Sequence, residues 1–248
     1  MSASTVQLSH RLARSAADLD RVQRLRYDVF VRELQADGPL VDHPGGRERD
    51  AFDDRADHLM LLDGMGTLIG TSRIMDARQA AAAGGFSSAA EFDLAPLTDS
   101  GLELLELSRT CLHPDWRGGI ALHRLWEGVG TCVRARGARV LFGAASFRGT
   151  DRTRLEAPVA LLQARHPGPR DLRPKAHGPG HWVPGPYEGD TKAALRQVPS
   201  LIKAYLRLGG GVGIGACPDP AFRTTDVCMV LNVARIPPER AARFGGAA

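Results

Sequence analysis

Two segments show the three-to-four-residue apolar spacing of an amphipathic helix. They cover residues 17–36 and Ile120–Ala135. A third segment, 191–208, has similar spacing but is interrupted near Pro199, and proline disrupts a helix interior. The pattern therefore predicts three helical regions, of which the last is broken.

Short runs of apolar and β-branched residues predict the strands of a sheet. These runs lie at 58–62, 67–75, 104–111, 140–147 and 225–233. The first two are joined by the turn-forming sequence DGMG, which is typical of a hairpin. Because strands and helices alternate irregularly, the pattern predicts an α/β (α+β) fold built on one mixed sheet.

Composition narrows the class of protein. Of the 248 residues, 43% are hydrophobic and 24% are charged, which excludes a wholly disordered chain. No composition break marks a boundary, so we expect one domain over residues 1–248 with a basic, Pro- and Gly-rich insert at about 148–190. No apolar stretch approaches the ~20 residues of a membrane span, and the first residues lack the apolar core of a signal peptide. We expect a cytoplasmic protein, either free or peripheral on the inner membrane.

The basic excess is concentrated in one part of the chain. Residues 148–175 hold seven basic and three acidic side chains, an excess equal to the +4 of the whole chain. Such a patch attracts anionic partners, among them nucleic acid, anionic lipid and an acidic carrier protein. A solvated loop with no partner has the same composition, so charge alone leaves the choice open.

Several catalytic classes lack their motifs. The sequence has no GxSxG nucleophile turn, no P-loop lysine motif and no HExxH, and its eight histidines are scattered. The four cysteines form no CxxC pair, which favours reduced core thiols over a metal site. Serine-triad and metal chemistry therefore have no support, and we predict no metal site.

Charged residues placed next to apolar elements are the strongest chemical signal. Arg26 and Phe30 share one helix face, Arg73 lies within an apolar strand, and Glu106 and Arg109 lie within the next strand. Three carboxylates follow within six residues of one loop: Glu48, Asp50 and Asp53. A buried charge needs a partner, so one interpretation is structural ion pairing of Glu106 with Arg73 or Arg109. The other is a polar reaction site.

The order of these residues resembles that of the acyl-homoserine lactone synthases, which are acyl-carrier-protein-dependent members of the GNAT acyltransferase superfamily. That resemblance covers about the first 110 residues. A second resemblance spans nearly the whole chain and is more specific. The sequences HPDWR at 113–117, FGAASF at 142–147, VPSLIKAYLRLG at 198–209 and PDPAFRTTDV at 218–227 are similar to the L-ornithine N(alpha)-acyltransferases of ornithine-lipid synthesis.

The resemblance implies a GNAT fold, with a mixed, mostly antiparallel sheet flanked by helices. It also implies transfer of a (3-hydroxy)fatty acyl group from acyl carrier protein to the α-amine of L-ornithine, giving lyso-ornithine lipid. The expected partners are acyl carrier protein and ornithine, with an anionic membrane surface as a further candidate and no nucleic acid. No bound cofactor is expected, because the donor is a phosphopantetheine thioester.

The resemblance and charge logic together assign roles to residues. Glu106 is the predicted base for the attacking amine, and Arg73 and Arg109 are the other predicted catalytic residues. Phe30 is a candidate for the acyl slot. The carboxylates of Glu48, Asp50 and Asp53 are expected to bind the side-chain ammonium of ornithine, and Arg26 or Arg109 to bind its α-carboxylate.

The donor site is predicted around the end of the 104–111 strand and the loop after it. Its residues are Thr110, Cys111, Leu112, Arg117, Gly118 and Gly119. GNAT enzymes usually bind the donor's pyrophosphate with a (Gln/Arg)-x-x-Gly-x-(Gly/Ala) loop that opens a helix. Here Trp116 occupies the first position of that loop, which favours a carrier-protein donor over free coenzyme A.

Three other functions stay open at this point. A sister enzyme would acylate another amino acid such as glutamine. A lactone synthase would consume S-adenosylmethionine, although the long Pro- and Arg-rich second half argues against it. A non-catalytic module would bind carrier protein or membrane without forming an acyl product.

Overall fold

The structure is a computed structural model that describes residues 7–38, 41–241 and 244. Within these residues the strands are β1 (Ser9–Leu12), β2 (Val41–Asp42), β3 (Arg47–Glu48), β4 (Asp57–Leu62), β5 (Leu68–Asp76), β6 (Phe92–Asp93), β7 (Leu104–Leu112), β8 (Val140–Arg148), β9 (Lys175–Ala176), β10 (Gly211–Val212), β11 (Cys217–Asp219) and β12 (Thr224–Asn232). The α-helices are α1 (Ala16–Arg26), α2 (Ala77–Ala83), α3 (Ala95–Thr98), α4 (Ile120–Ala135), α5 (Arg152–Arg165), α6 (Thr191–Gln197), α7 (Ser200–Arg207) and α8 (Pro238–Ala241).

One large sheet organises the described residues. Its strand order is β1-β4-β5-β7-β8-β12-β10, and β11 also pairs with β12. Neighbouring strands are antiparallel except β7 and β8, which run parallel. The predicted mixed, mostly antiparallel sheet is confirmed. The part of the single-domain prediction that covers residues 1–6, 39–40, 242–243 and 245–248 lies outside the described residues.

The two faces of the sheet carry different cores, because successive side chains of a strand point to opposite faces. Leu105 and Leu107 of β7 belong to the larger apolar cluster, which also contains residues of α4, α5 and α7. Leu104 of β7 and Phe142 of β8 belong to a second cluster on the other face. Glu106 and Ser108 alternate with Leu105 and Leu107, so they point to this second face.

The first helix changes its geometry before it ends. Ser15 caps α1 by accepting a hydrogen bond from the amide of Asp18 at 3.2 Å. Beyond Arg26 the chain continues as a π-helix over Tyr27–Glu33. The helix predicted at 17–36 is therefore confirmed, and its wider second half carries Phe30. π-Helical turns are frequent at functional sites.

The basic insert is more ordered than the sequence predicted. The sequence has only one short apolar run in this insert, at 159–162, but α5 spans 14 residues and contains Pro158. Leu155, Val159 and Leu162 are buried in the larger core, and that burial outweighs the helix-breaking tendency of an internal proline. An entirely solvated loop over 148–175 is therefore wrong. No helix among the described residues has the length and apolarity needed to cross a membrane.

The central strands separate part-way along their length. β7 and β8 are each nine residues long, but they pair only over Leu104–Glu106 and Val140–Phe142. Gly143 follows the last paired residue, and a Cβ there would lie 2.0 Å from the carbonyl oxygen of Leu107. Glycine thus allows the close approach after which the strands diverge. The divergence opens a wedge between the two strands.

Candidate active site

A cavity of about 580 Å³ lies at this wedge. Its walls come from β7 and β8, from loops at 50–52 and 87–91, from the π-helix, α4 and α7, and from the segment 219–226 between the end of β11 and the start of β12. Residues from β7 that line it are Ser108, Arg109, Thr110, Cys111 and Leu112, and those from β8 are Ala144, Ala145 and Ser146. The edge of β7 that faces β8 is paired with no described strand beyond Glu106. Peptide groups on this edge are therefore available to a bound ligand.

Most of the predicted charged residues form one network beside the cavity. Arg26 pairs with Glu48 and, at 2.7 Å, with Asp53. Arg73 pairs with Asp50 and, at 3.1 Å, with Asp53. Arg109 completes the network, with Nε 3.1 Å from Glu48 and Nη2 3.2 Å from Asp50. Three arginines thus neutralise three carboxylates, as buried charges require.

Burial and pairing together set the ionisation of this network. Burial opposes charge on Arg26, but Glu48 and Asp53 outweigh it and raise the pKa of the guanidinium. Burial also opposes ionisation of Asp53, but Arg26 and Arg73 hold its pKa at about 2. Burial and the nearby Arg109 lower the pKa of Arg73. Asp53 is therefore ionised at any physiological pH.

Arg109 is the member of the network that reaches furthest into the cavity. Its side chain is 24% exposed, whereas those of Arg26 and Arg73 are fully buried. It lies at an irregularity in the pairing of β5 with β7 and has a φ of 50°, a rare conformation for a non-glycine residue. Such bulges redirect a side chain. The guanidinium lies 4.5 Å from the ring centroid of Phe222, a cation–π contact.

Glu106 is separated from the charged network. Its side chain is fully buried and accepts hydrogen bonds from the amide of Ser87 at 3.0 Å, the hydroxyl of Ser87 at 2.9 Å and the amide of Ser88 at 2.7 Å. It forms no ion pair with Arg73 or Arg109, so the pairing considered from the sequence is wrong. Glu106 does not line the cavity, but Ser87 and Ser88 do. Contact between Glu106 and the cavity thus runs through these serines.

The predicted acyl-donor residues divide into two groups. Thr110, Cys111, Leu112 and Arg117 line the cavity. Gly118 and Gly119 do not line it; they form the turn before α4, where Gly118 has a φ of 78°. Arg117 is held by Glu33 through contacts of 2.6 and 2.7 Å.

Phe30, predicted for the acyl slot, also lines the cavity. Its ring meets that of Phe222 edge to face, with centroids 5.7 Å apart, a favourable aromatic geometry. Leu122 of α4 lines the cavity as well. Leu125, Val129 and Val133 of α4 and Phe147 of β8 are buried in the larger core instead.

Sequence reasoning missed a second acidic group in the same cavity. Glu91 follows the short helical turn Ser87–Ala90, Asp219 ends β11 and Asp226 lies in β12. One carboxylate oxygen from each lies within 4.8 Å of the other two. Asp226 is a charged residue in a predicted strand, between Thr225 and the apolar run 227–231, so the reasoning that singled out Arg73 and Glu106 could also have found it. Glu91 lies in a segment with no regular pattern, and Asp219 is marked only by its place in the PDPAFRTTDV sequence at 218–227.

Comparison with known proteins is consistent with this arrangement. The family described as "Acetyltransferase (GNAT) domain" matches residues 25–127. The L-ornithine N(alpha)-acyltransferase of Rhodobacter capsulatus is 44% identical over 239 residues, covering 94% of this chain and 92% of the relative. The enzyme of the same name from Rhizobium meliloti is 36% identical, covering 92% and 81%.

A solved structure extends the comparison to the fold. The AHL synthase LasI superposes with a TM-score of 0.56 at 12% identity, and the match covers 98% of each chain. At this identity the likeness concerns the fold alone. The superposition shows that this chain shares its fold with that synthase, and the GNAT fold predicted from the sequence is confirmed by the match to the GNAT domain family.

Proposed function

Because this chain belongs to the family of L-ornithine N(alpha)-acyltransferases, we propose that it transfers a (3-hydroxy)fatty acyl group from acyl carrier protein to the α-amine of L-ornithine, giving lyso-ornithine lipid. Acyl transfer itself follows from membership of the family and from the GNAT domain. The donor, acceptor and product are the proposal. The observation that carries it is 44% identity, sustained over 94% of the chain, to an enzyme of that name.

In the reaction, the α-amine nitrogen attacks the thioester carbonyl carbon. A carbon–nitrogen bond forms, the carbon–sulfur bond breaks, and the phosphopantetheine thiolate leaves. The nitrogen loses protons along the way, because ammonium has no lone pair with which to attack. The site has to accept a proton, stabilise the oxyanion and hold the amino acid in place.

Glu106 is the proposed base, and the structure supports an indirect route to it. Ser87 lines the cavity and its hydroxyl donates to Glu106. The amine can give a proton to the oxygen of Ser87 while Ser87 gives its own proton to Glu106. The carboxylate then holds the proton without touching the substrate, so Glu106 is a positioning and relay residue and Ser87 is the group that meets the amine.

Peptide groups of β7 near Thr110–Leu112 are the proposed donors to the oxyanion, because this strand edge faces the cavity instead of a strand. Arg109 is the proposed partner of the α-carboxylate. Arg26, the alternative considered from the sequence, is fully buried and does not line the cavity. Arg73 keeps a supporting role, since it holds Ser108 and Asp50 in place.

The loop before α4 supports a carrier-protein donor. The ADP part of coenzyme A needs cationic and amide donors around its pyrophosphate, and here Arg117 is engaged by Glu33 and by the carbonyl of Leu112. A phosphopantetheine arm carries a single phosphodiester and needs fewer donors. Cytoplasmic location and docking of the carrier on the basic residues of 148–175 are parts of the same proposal.

The test is a competition reaction. The purified protein is incubated with 3-hydroxyacyl carrier protein and an equimolar mixture of ornithine, lysine, glutamine and S-adenosylmethionine, and the products are identified by mass spectrometry. We expect N-acylornithine, with fragmentation that places the acyl group on the α-nitrogen. Acyl-coenzyme A of the same chain length is the matched donor control and is expected to react poorly.

Three outcomes would contradict the proposal. Acylglutamine as the main product would identify the sister activity. Release of methylthioadenosine would identify a lactone synthase. Binding of the carrier with no acyl product from any amino acid would indicate a non-catalytic module.

A further inference from the structure

The carboxylates predicted to bind the side-chain ammonium of the substrate are already neutralised by arginines. Glu48, Asp50 and Asp53 are paired with the three arginines of the network. Glu48 and Asp53 are also fully buried and do not line the cavity. An incoming ammonium would have to displace an arginine, which would leave that arginine buried and unpaired at high cost. Ammonium recognition therefore needs another group.

Glu91, Asp219 and Asp226 have the opposite character, and all three line the cavity. Their three carboxylates lie close together, and none of them forms an ion pair with a described residue. Asp226 is 94% buried and its Oδ1 has no hydrogen-bond partner. Oε2 of Glu91 is likewise buried without a partner. Buried carboxylate oxygens without donors are costly, so the empty cluster depends on a retained proton, and a bound cation with N–H donors can take the place of that proton.

We propose that Glu91, Asp219 and Asp226 form the subsite that binds the side-chain ammonium of a dibasic amino acid, and that this subsite selects cationic over neutral acceptors. An ammonium group offers three N–H donors and a positive charge, which matches three clustered carboxylates. This inference rests on the proposed function, since it assigns a recognition role within the same acyl-transfer site.

The position of the cluster suits the two ends of such a substrate. Asp226 pairs across the sheet with Ser146 of β8, so it lies on the far side of the wedge from Arg109 of β7. Arg109 can hold the α-carboxylate while the acidic cluster holds the far end of the side chain. Glu91 belongs to the loop whose Ser87 and Ser88 amides donate to Glu106. The same loop therefore positions both the ammonium subsite and the proposed proton relay.

The pKa values of Glu91 and Asp226 are those of carboxylates that lack a bound cation. Burial and the charges of Asp226 and Asp219 raise the pKa of Glu91 to about 8. Burial, with Asp219 nearby, raises the pKa of Asp226 to about 6. The empty cluster therefore retains a proton near neutral pH, and an ammonium that binds there favours its release.

The test compares ornithine with norvaline, which has the same carbon chain without the side-chain ammonium. For Asp226→Asn we expect kcat/KM for ornithine to fall by about 10- to 100-fold, the value of one or two charged hydrogen bonds, while kcat/KM for norvaline changes less than threefold. Asp219→Asn, on the half-buried end of β11, should give the same selective loss and serves if Asp226→Asn fails to fold. The control is Asp99→Asn, an exposed carboxylate at the end of α3, which should affect neither substrate.

Equal losses for both substrates would overturn the inference, because a chemical or structural role would then explain the cluster. Loss of activity in EDTA and its recovery with Mg²⁺ would also overturn it, since the cluster would then be a metal site. If the wild-type protein acylates no dibasic amino acid, the proposed function fails first. If it acylates ornithine and both variants keep their selectivity, the subsite assignment alone fails.

Discussion

The hydroxyl of Ser87 lies 2.9 Å from a carboxylate oxygen of Glu106, and this contact links a fully buried acid to a cavity that the acid itself does not line. Two further donors, the amides of Ser87 and Ser88, fix the same carboxylate. If the proton of the attacking amine follows this contact, both side chains are needed for turnover but neither determines how tightly the amino acid binds.

Glu106→Gln should therefore lower kcat by about 10²- to 10⁴-fold, the usual contribution of a positioned base, with little change in the KM of ornithine. Ser87→Ala should lower kcat less, because a water molecule can replace the hydroxyl. The measurement is steady-state turnover of both variants across a range of pH. Thermal melting of each variant checks that the 87–91 loop is retained, and near-normal turnover of a folded Glu106→Gln would rule out the relay.

Arg109 should control recognition of the α-carboxylate. Arg109→Gln keeps polar contacts with the network but removes the charge, so we expect the KM of ornithine to rise by about 10- to 100-fold. Ornithine amide lacks the carboxylate, and its KM should be nearly the same for the variant and the wild type. An equal rise for acid and amide would assign Arg109 to the support of Glu48 and Asp50 rather than to the substrate.

The sequence predicts the fold better than it predicts the site. Hydrophobic periodicity locates α4 over its full length and the long strands to within about one residue, because each buries one regular face. It misses α5, because Pro158 and several arginines weaken the apolar pattern of a helix that is stabilised by burial against the rest of the fold. Charge within apolar strands identifies Arg73 and Glu106. It cannot show that Glu48 and Asp53 are already neutralised or that Glu91 approaches Asp226, because both depend on contacts distant in sequence.

The buried network should make stability fall in mild acid. The pKa of Asp53 is about 2 in the folded protein, against 3.8 ordinarily. A depressed pKa contributes stability that is fully present above pH 4 and is lost as the pH falls through 4 toward 2, here about 2 kcal/mol from this residue. Urea unfolding at pH 5, 4 and 3 measures this slope. Asp53→Asn should be less stable at pH 7 by about 3–5 kcal/mol and show a shallower slope, while Asp99→Asn should match the wild-type slope.

Docking of an acidic carrier on the basic segment should depend on charge. The side chain of Arg154 in α5 is 85% exposed, and its one ion pair with a described residue is with the exposed Asp151, so its replacement costs little stability. Arg154→Glu should raise the KM of acyl carrier protein several-fold and weaken the salt dependence of kcat/KM. Arg78→Glu, on the exposed face of α2, is the charge-matched control. Equal effects of the two variants would place the carrier elsewhere.

Selectivity for ornithine should rise with pH. The groups facing Glu91 are Asp226, Asp219, Arg109 and Cys217. Burial, together with the charges of Asp226 and Asp219, raises the pKa of Glu91 to about 8, so Glu91 is protonated below that pH. An ammonium binds best to the ionised cluster, so the ratio of kcat/KM for ornithine to that for norvaline should increase from pH 6 to pH 8 and level off above it. Both substrates carry an α-amine that is mostly protonated from pH 6 to pH 8, so its titration nearly cancels in the ratio over this range. The increase is at most tenfold per pH unit for each proton displaced, and Asp219→Asn should flatten it. A ratio that is constant or falls over this range would show that no raised carboxylate pKa governs recognition of the side chain.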